Sequence, residues 1–423
     1  MRGARASCAA AALAALGCAA APPARLPERG VAEAGARIAE APAAAPARAP
    51  RPTVRRASGA VRVRLTELEG ASQLRVLGTL HGEVVLERQG ELVRAAPDRG
   101  PSQREVRLSP APGSLLRAGE RAYPGALIVR PRVAGGLEVV CELDIEDYVE
   151  GVVASEMAIW SAAGAALEAQ AIAARSFAVA QLDARGRLAG GPTLLDDVRD
   201  QAYRGAYLPD PRGGRAAREV AERLHSAVRR TRGRVLFEDP RVVDARFHAA
   251  CGGATADGAA VFPDADFACL RSVECAPCRG SLGGAREAPT ELGWRWTAPR
   301  FALERLAREL GLGVHLLRLA PGRRDGAGRW LEVRLEGDLA ARSIPFEELR
   351  RRLSRRELAS SLVTRTWPRA GETIGGGLLF EGRGRGHGVG LCQEGALALA
   401  RAGWSAERIL AHYYPGAARL DWR

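Results

Sequence analysis

The 423-residue chain contains no lysine, so every basic side chain except histidine is arginine. Without lysine there is no Gly-Lys-Ser/Thr sequence, which excludes a P-loop phosphate cradle. No Gly-x-Ser-x-Gly elbow occurs and no Ser-His-Asp set can be assembled. His-Glu-x-x-His is also missing, which removes the common hydrolytic zinc motif. No nucleic-acid-binding motif is found and the arginines are scattered, so nucleic acid is not expected as a partner. Beyond the leader, no apolar run is long enough to cross a bilayer. No internal repeat stands out.

What remains is a globular composition with a strong positive balance. The apolar fraction of 47% is enough to build a sizeable core, and the length suits two or three domains. A net charge of +13 suits an anionic partner. The abundance of Ala and Gly points to coding bias behind the arginines, yet the guanidinium fork still grips carboxylates and phosphates at two points.

The N-terminus reads as an export signal over residues 1–18. Arg2 and Arg5 precede the apolar run Ala9 to Leu16, and Gly17-Cys18 follow. Ala15-Leu16-Gly17-Cys18 resembles a lipoprotein cleavage box with Cys18 as the lipidated residue. Ordinary cleavage near Ala21 is the other reading. Residues 19–57, dominated by Ala, Pro and Arg, read as a tether that cannot form a core. These features place the chain in the cell envelope, held to a membrane through a lipid anchor.

Residues 58–140 alternate in short apolar runs with glycine breaks (Val61 to Leu65, Gly82 to Leu86, Leu127 to Val129, Leu137 to Val140). That is the pattern of a mostly antiparallel sheet. From Ala163 to Leu182 the period becomes helical and apolar nearly all round, which predicts a buried central helix. Gln170, Arg175 and Ser176 on it then need partners. Further helices are expected at 216–230, 301–312, 346–358, 391–402 and after Ser405, with strands near 234–237 and 331–335. Residues 279–295 read as loop. The fold class is α+β: a strand-rich N-terminal part, 58–140, on a mixed core, 141–423.

Six cysteines follow the leader: Cys141, Cys251, Cys269, Cys275, Cys278 and Cys392. In an exported chain disulfides are one reading. His248, Cys251, Cys275 and Cys278 as a tetrahedral structural metal set is the other. Neither makes the cluster catalytic, and no cofactor is called for.

Two segments carry possible chemistry. Glu156 sits among apolar residues, with Met157 and Trp160 following. Desolvation there would raise its pKa and keep it protonated, as a general acid requires. A solvated glutamate is the alternative. Near the C-terminus, glycine occupies every second position from Gly382 to Gly390. In an extended strand Arg383, Arg385, His387 and Val389 would share one face, and the other would be bare backbone.

Taken in order, the segments resemble the SpoIID/LytB family. The match runs through Asp144 to Val153, Glu156-Met157, Ala166 to Ala178, Gln201-Ala202-Tyr203-Arg204-Gly205, and His248 to Gly253. It continues through Gly384 to Ala396 and ends at Ile409 to Gly416. The resemblance implies a peptidoglycan lytic transglycosylase acting on glycan strands stripped of stem peptides, with Glu156 as single acid and base. Ala158 stands where the family motif has proline. Arg175, Tyr203, Arg385, His387 and Gln393 are the expected glycan-groove residues. Some members carry a His/Cys zinc cluster just before the Gln-x-Tyr-Arg-Gly motif. Here Leu194 to Asp200 offers neither residue type, so that site is expected to be missing. The amidase-enhancer name implies an alternative: a non-catalytic peptidoglycan-binding module that stimulates or localises a wall amidase or another envelope protein.

Overall fold

Alternating apolar positions from residue 60 onward build two five-stranded sheets, because each strand turns one face inward. The first runs Leu194–Leu195, Ala60–Arg64, Leu137–Asp144, Ala126–Pro131, Val106–Leu108. Within this sheet, among the described residues, only the pairing of Ala60–Arg64 with Leu194–Leu195 is parallel. The second runs Leu92–Ala96, Gly82–Gln89, Gln73–Thr79, Leu116–Ala118, Arg121–Tyr123, all antiparallel. Val63, Val76, Leu86, Leu127 and Val139 point from both sheets into one buried cluster. The computed structural model describes residues 60–96, 100–186, 194–279 and 292–422. The leader with Cys18, the 19–57 tether and most of the Gly-rich 279–295 segment lie outside the described residues.

Two helices carry the same cluster forward. Ile145–Glu156 is begun by Asp144, whose carboxylate accepts the Glu146 N–H. The sequence pattern gave no helix here, since Val149, Val152, Val153 and Gly151 all weigh against one. Burial of Tyr148, Val149, Val152 and Val153 overrides that preference. Gly151 is required for another reason: a Cβ on it would lie 2.5 Å from the Tyr203 ring. The central helix, Gly164–Arg185, is buried on nearly every face from Ala166 to Val179, as its composition predicts. Gly214–Arg230, Gln393–Arg401 and Ala406–Tyr413 pack around it. The fold is α+β.

The described residues hold two buried clusters, the first of which spans Val61 to Tyr414. The second runs from Trp294 to Phe380. It is built on two three-stranded sheets with the helices Arg300–Glu309 and Phe346–Leu353. The latter stops at Ser354, short of the expected Leu358. Among the described residues, no helix is long and apolar enough to cross a membrane.

Candidate active site

Glu156 is the last residue of its helix, and Met157 leaves the helix in an extended conformation. Its Oε1 accepts the Ala202 N–H at 2.8 Å. One residue earlier, Ser155 Oγ accepts the Arg204 N–H at 3.1 Å. The helix end thus clamps the Gln201–Gly205 loop by its backbone. Tyr203 wedges that loop in place. Its ring is fully buried against Tyr148 and Tyr123. Tyr148 donates to Gln201 Oε1 at 3.0 Å, and Gln201 donates to Ala174 O on the central helix at 3.3 Å.

Burial pushes the Glu156 pKa up; the Ala202 N–H, the Gln393 side chain and the Arg204 charge oppose it only in part. The C-terminal end of a helix dipole also disfavours negative charge. Yet Glu156 is not sealed: its side chain is half-buried, whereas Met157 is buried and Trp160 is 72% exposed. The expected apolar cover therefore comes from the helix packing and Met157 but not from Trp160, which stands in solvent beside the carboxyl segment. Ala158 needs no proline to be restrained. Ser161 N–H donates to Ala158 O at 3.1 Å, and Ile159 N–H to Met157 O at 2.9 Å.

The opposite wall comes from the C-terminal region. Gln393 begins its helix beside Glu156, and its Nε2 is buried without a hydrogen-bond partner among the described residues. At the far end of the same helix Arg401 donates to Ser161 O at 3.3 Å. The glycine-alternating stretch that leads into it is not an extended strand. The strand Leu378–Arg383 ends where the alternation begins, and Gly384, Gly386, Gly388 and Gly390 have φ of 79°, 97°, 88° and 71°. Only glycine takes this conformation at low cost. Close approach is the second reason: a Cβ on Gly384 would sit 2.7 Å from Ala250 O, and one on Gly388 would sit 2.8 Å from Arg329 Cζ.

Other expected groove residues have different places. Arg175 is fully buried and does not line a groove. Its Nη2 and Nε hold Glu146 at 2.6 and 3.1 Å, and Nη1 donates to Arg234 O at 3.1 Å. Tyr203 is likewise packing, not lining. Arg385 is exposed, with its backbone paired to Ala250. His387 accepts the Val389 N–H through Nδ1 at 3.1 Å and meets Phe262 and His248 edge-on. Burial lowers its pKa well below the usual imidazole range.

His248 leaves the expected metal set. Its Nδ1 lies 3.1 Å from Val389 O, and burial lowers its pKa to about 3. The thiols that do converge are Cys251, Cys275, Cys278 and Cys392, all buried with free sulfurs. Sequence spacing could flag the first three; the fourth arrives from 141 residues beyond Cys251. Leu194 to Asp200 brings no imidazole or thiol to the loop before Gln201. A hollow of about 100 Å³ lined by Arg300, Glu304, His315 and Ile374 belongs to the second cluster's region. It is too small for a sugar chain, since ligand pockets commonly start at about 300 Å³.

Residues 133–237, which include Glu156 and the Gln201–Gly205 loop, match the SpoIID family model, described as Stage II sporulation protein. Stage II sporulation protein D of Bacillus amyloliquefaciens is 30% identical over 280 residues, covering 65% of this chain and 73% of that one. The protein of the same description from Bacillus subtilis is 28% identical over 279 residues, covering 65% and 74%.

Proposed function

The chain belongs to the SpoIID family, and on that premise we propose that it is a peptidoglycan lytic transglycosylase with Glu156 as its single acid and base. The observation that carries this reading is the half-buried Glu156 carboxyl with its raised pKa. Among the charged neighbours that shift it there is an arginine and no second carboxylate. Asp200, across Tyr148, is engaged by both nitrogens of Arg185 at 2.6 and 2.8 Å. Glycosidases that use water generally need two carboxyl groups. A reaction whose nucleophile lies within the substrate needs one.

Glu156 in its acid form donates its proton to the oxygen joining N-acetylmuramic acid to N-acetylglucosamine. The C1–O bond breaks and the N-acetylglucosamine hydroxyl leaves. The Glu156 carboxylate then removes the proton of the muramyl C6 hydroxyl, and O6 closes on C1 as a 1,6-anhydro ring. The proton has returned to Glu156 and no water is consumed. O6 and C1 belong to the same sugar residue, which supplies the proximity. Gln393 and the Ala202 N–H favour the carboxylate formed midway, and exposed Trp160 offers a flat apolar face for a sugar ring. Stem-peptide-free strands are the substrate this reading favours. The cell envelope is its setting, with export through residues 1–18 and lipidation at Cys18.

Incubation of the purified protein with denuded glycan strands, followed by mass spectrometry, tests the reading. Anhydromuramyl ends that vanish in Glu156→Gln are the expected result. Strand binding with no cleavage would overturn it in favour of a module serving a wall amidase. Hydrated reducing ends would mean a second carboxyl takes part.

A further inference from the structure

The four thiols of Cys251, Cys275, Cys278 and Cys392 form a constellation that glycan cleavage does not use. We propose that they bind one zinc ion as a structural tetrathiolate site, which fixes the helix carrying Gln393.

Geometry is the first support. The four sulfurs lie within 4.8 Å of one another, and those of Cys278 and Cys392 are 3.6 Å apart. Tetrahedral zinc with Zn–S bonds of about 2.3 Å sets its sulfurs about 3.8 Å apart. Side-chain adjustment alone bridges that difference. Gly395 makes the approach feasible, because a Cβ there would come within 2.7 Å of Cys275 Sγ.

Hydrogen-bond polarity is the second. The Cys251 and Gly395 N–H groups donate to Cys392 Sγ at 3.2 and 3.4 Å, and the Gly253 N–H donates to Cys251 Sγ at 3.4 Å. Tyr413 Oη lies 3.2 Å from Cys275 Sγ, placed to donate. Sulfurs ringed by donors are suited to be thiolates, and such outer contacts orient metal ligands. Several thiolates crowded in a buried space need a cation among them.

Charge is the third. Zinc with four thiolates keeps a net charge of −2. Arg329, fully buried, donates through Nη2 to Cys251 O and to Ala254 O, while its Nε and Nη1 have no partner among the described residues. A buried arginine with spare donors beside the thiols is the counter-charge such a site wants. Soft sulfur ligands in tetrahedral array select zinc among abundant divalent ions.

The ion would lock Cys251 and the Cys275–Cys278 turn onto Cys392, one residue before Gln393. It therefore acts by positioning, and the assignment stands or falls apart from glycan cleavage. The test is the metal content of the full chain, purified without added metal, by inductively coupled plasma mass spectrometry. One zinc per chain is expected, lost in Cys251→Ser and Cys392→Ser and kept in Cys269→Ser. Cys392→His, which retains a ligand, should keep the ion and fold if the serine variants do not. Cobalt in its place should show the intense visible bands of a tetrahedral thiolate centre. A metal-free chain with these cysteines paired as disulfides on peptide mapping would overturn the proposal. So would iron at full occupancy, or zinc retained in Cys392→Ser.

Discussion

Glu156 closes one helix and Arg175 stands midway along the next, and the two helices pack together. Both are ionisable side chains on buried elements. Arg175 has Glu146 on two of its nitrogens and Arg234 O on a third, and no exposed surface. Glu156 has one backbone donor, a neighbouring amide and an open side. The difference lies in how completely each is satisfied. A charge with every valence met holds the fold, whereas a carboxyl left partly unmet and partly desolvated retains its proton for chemistry.

The largest effect that sharpens this contrast is on turnover. Glu156→Gln should lower kcat by about 10²- to 10⁴-fold, read as anhydromuramyl ends, with urea stability unchanged or slightly raised. Arg175→Met should do the reverse. Removing it strands the Glu146 carboxylate and should cost about 3–5 kcal/mol of stability in urea unfolding. A stable Arg175→Met chain that fails only to cleave would break the comparison.

The pH dependence carries a defined sign. Native Glu156 keeps its proton above the ordinary glutamate range, where the unfolded chain has lost it. Stability should therefore fall as pH rises through the window between the ordinary and the raised value. Glu156→Gln removes that slope, which urea midpoints from about pH 4 to about pH 8 would reveal. The rate should fall on the alkaline side of the same raised value, as the acid form is lost. Gln393→Leu should move that limb further up and slow turnover, because the amide beside the carboxyl favours its charged form. Smallest is Trp160→Ala: a several-fold rise in KM with kcat unchanged, as for uniform binding.

Local patterns were readable where side chains alternate or repeat. Val61 to Val140 shows its strands, and the central helix shows its apolar surround. Ser405 marks the start of the last helix, where its side chain accepts the Arg408 N–H. The helix ending at Glu156 was not readable, because its valines and Gly151 prefer other conformations; burial of the valines and the close approach of Tyr203 to Gly151 explain them. The glycine alternation was visible, but its cause was not: a period of two suggested a strand, whereas positive φ at four glycines and neighbouring backbone set the shape. Arg175 looked like a groove residue since its partner, Glu146, lies 29 residues away. The fourth thiol was hidden for the same reason, at greater distance. The second buried cluster, Trp294 to Phe380, has its own sheets and helices, and their patterns carry no mark of a separate core.

The two walls around Glu156 also differ in when they can exist. The Ala202 N–H reaches Glu156 across 46 residues, whereas the Gln393 wall is joined to the Cys251 segment by contacts spanning 141. Contacts over such spans form late, since closing a long loop comes before its reward. A chain emerging N-terminus first presents Glu156 long before Gln393 can face it. Until then the carboxyl lacks the Gln393 amide that favours its charged form. The C-terminal segment adds the one side-chain amide that tempers the raised pKa, so the balance between acid and carboxylate is completed only when that segment docks.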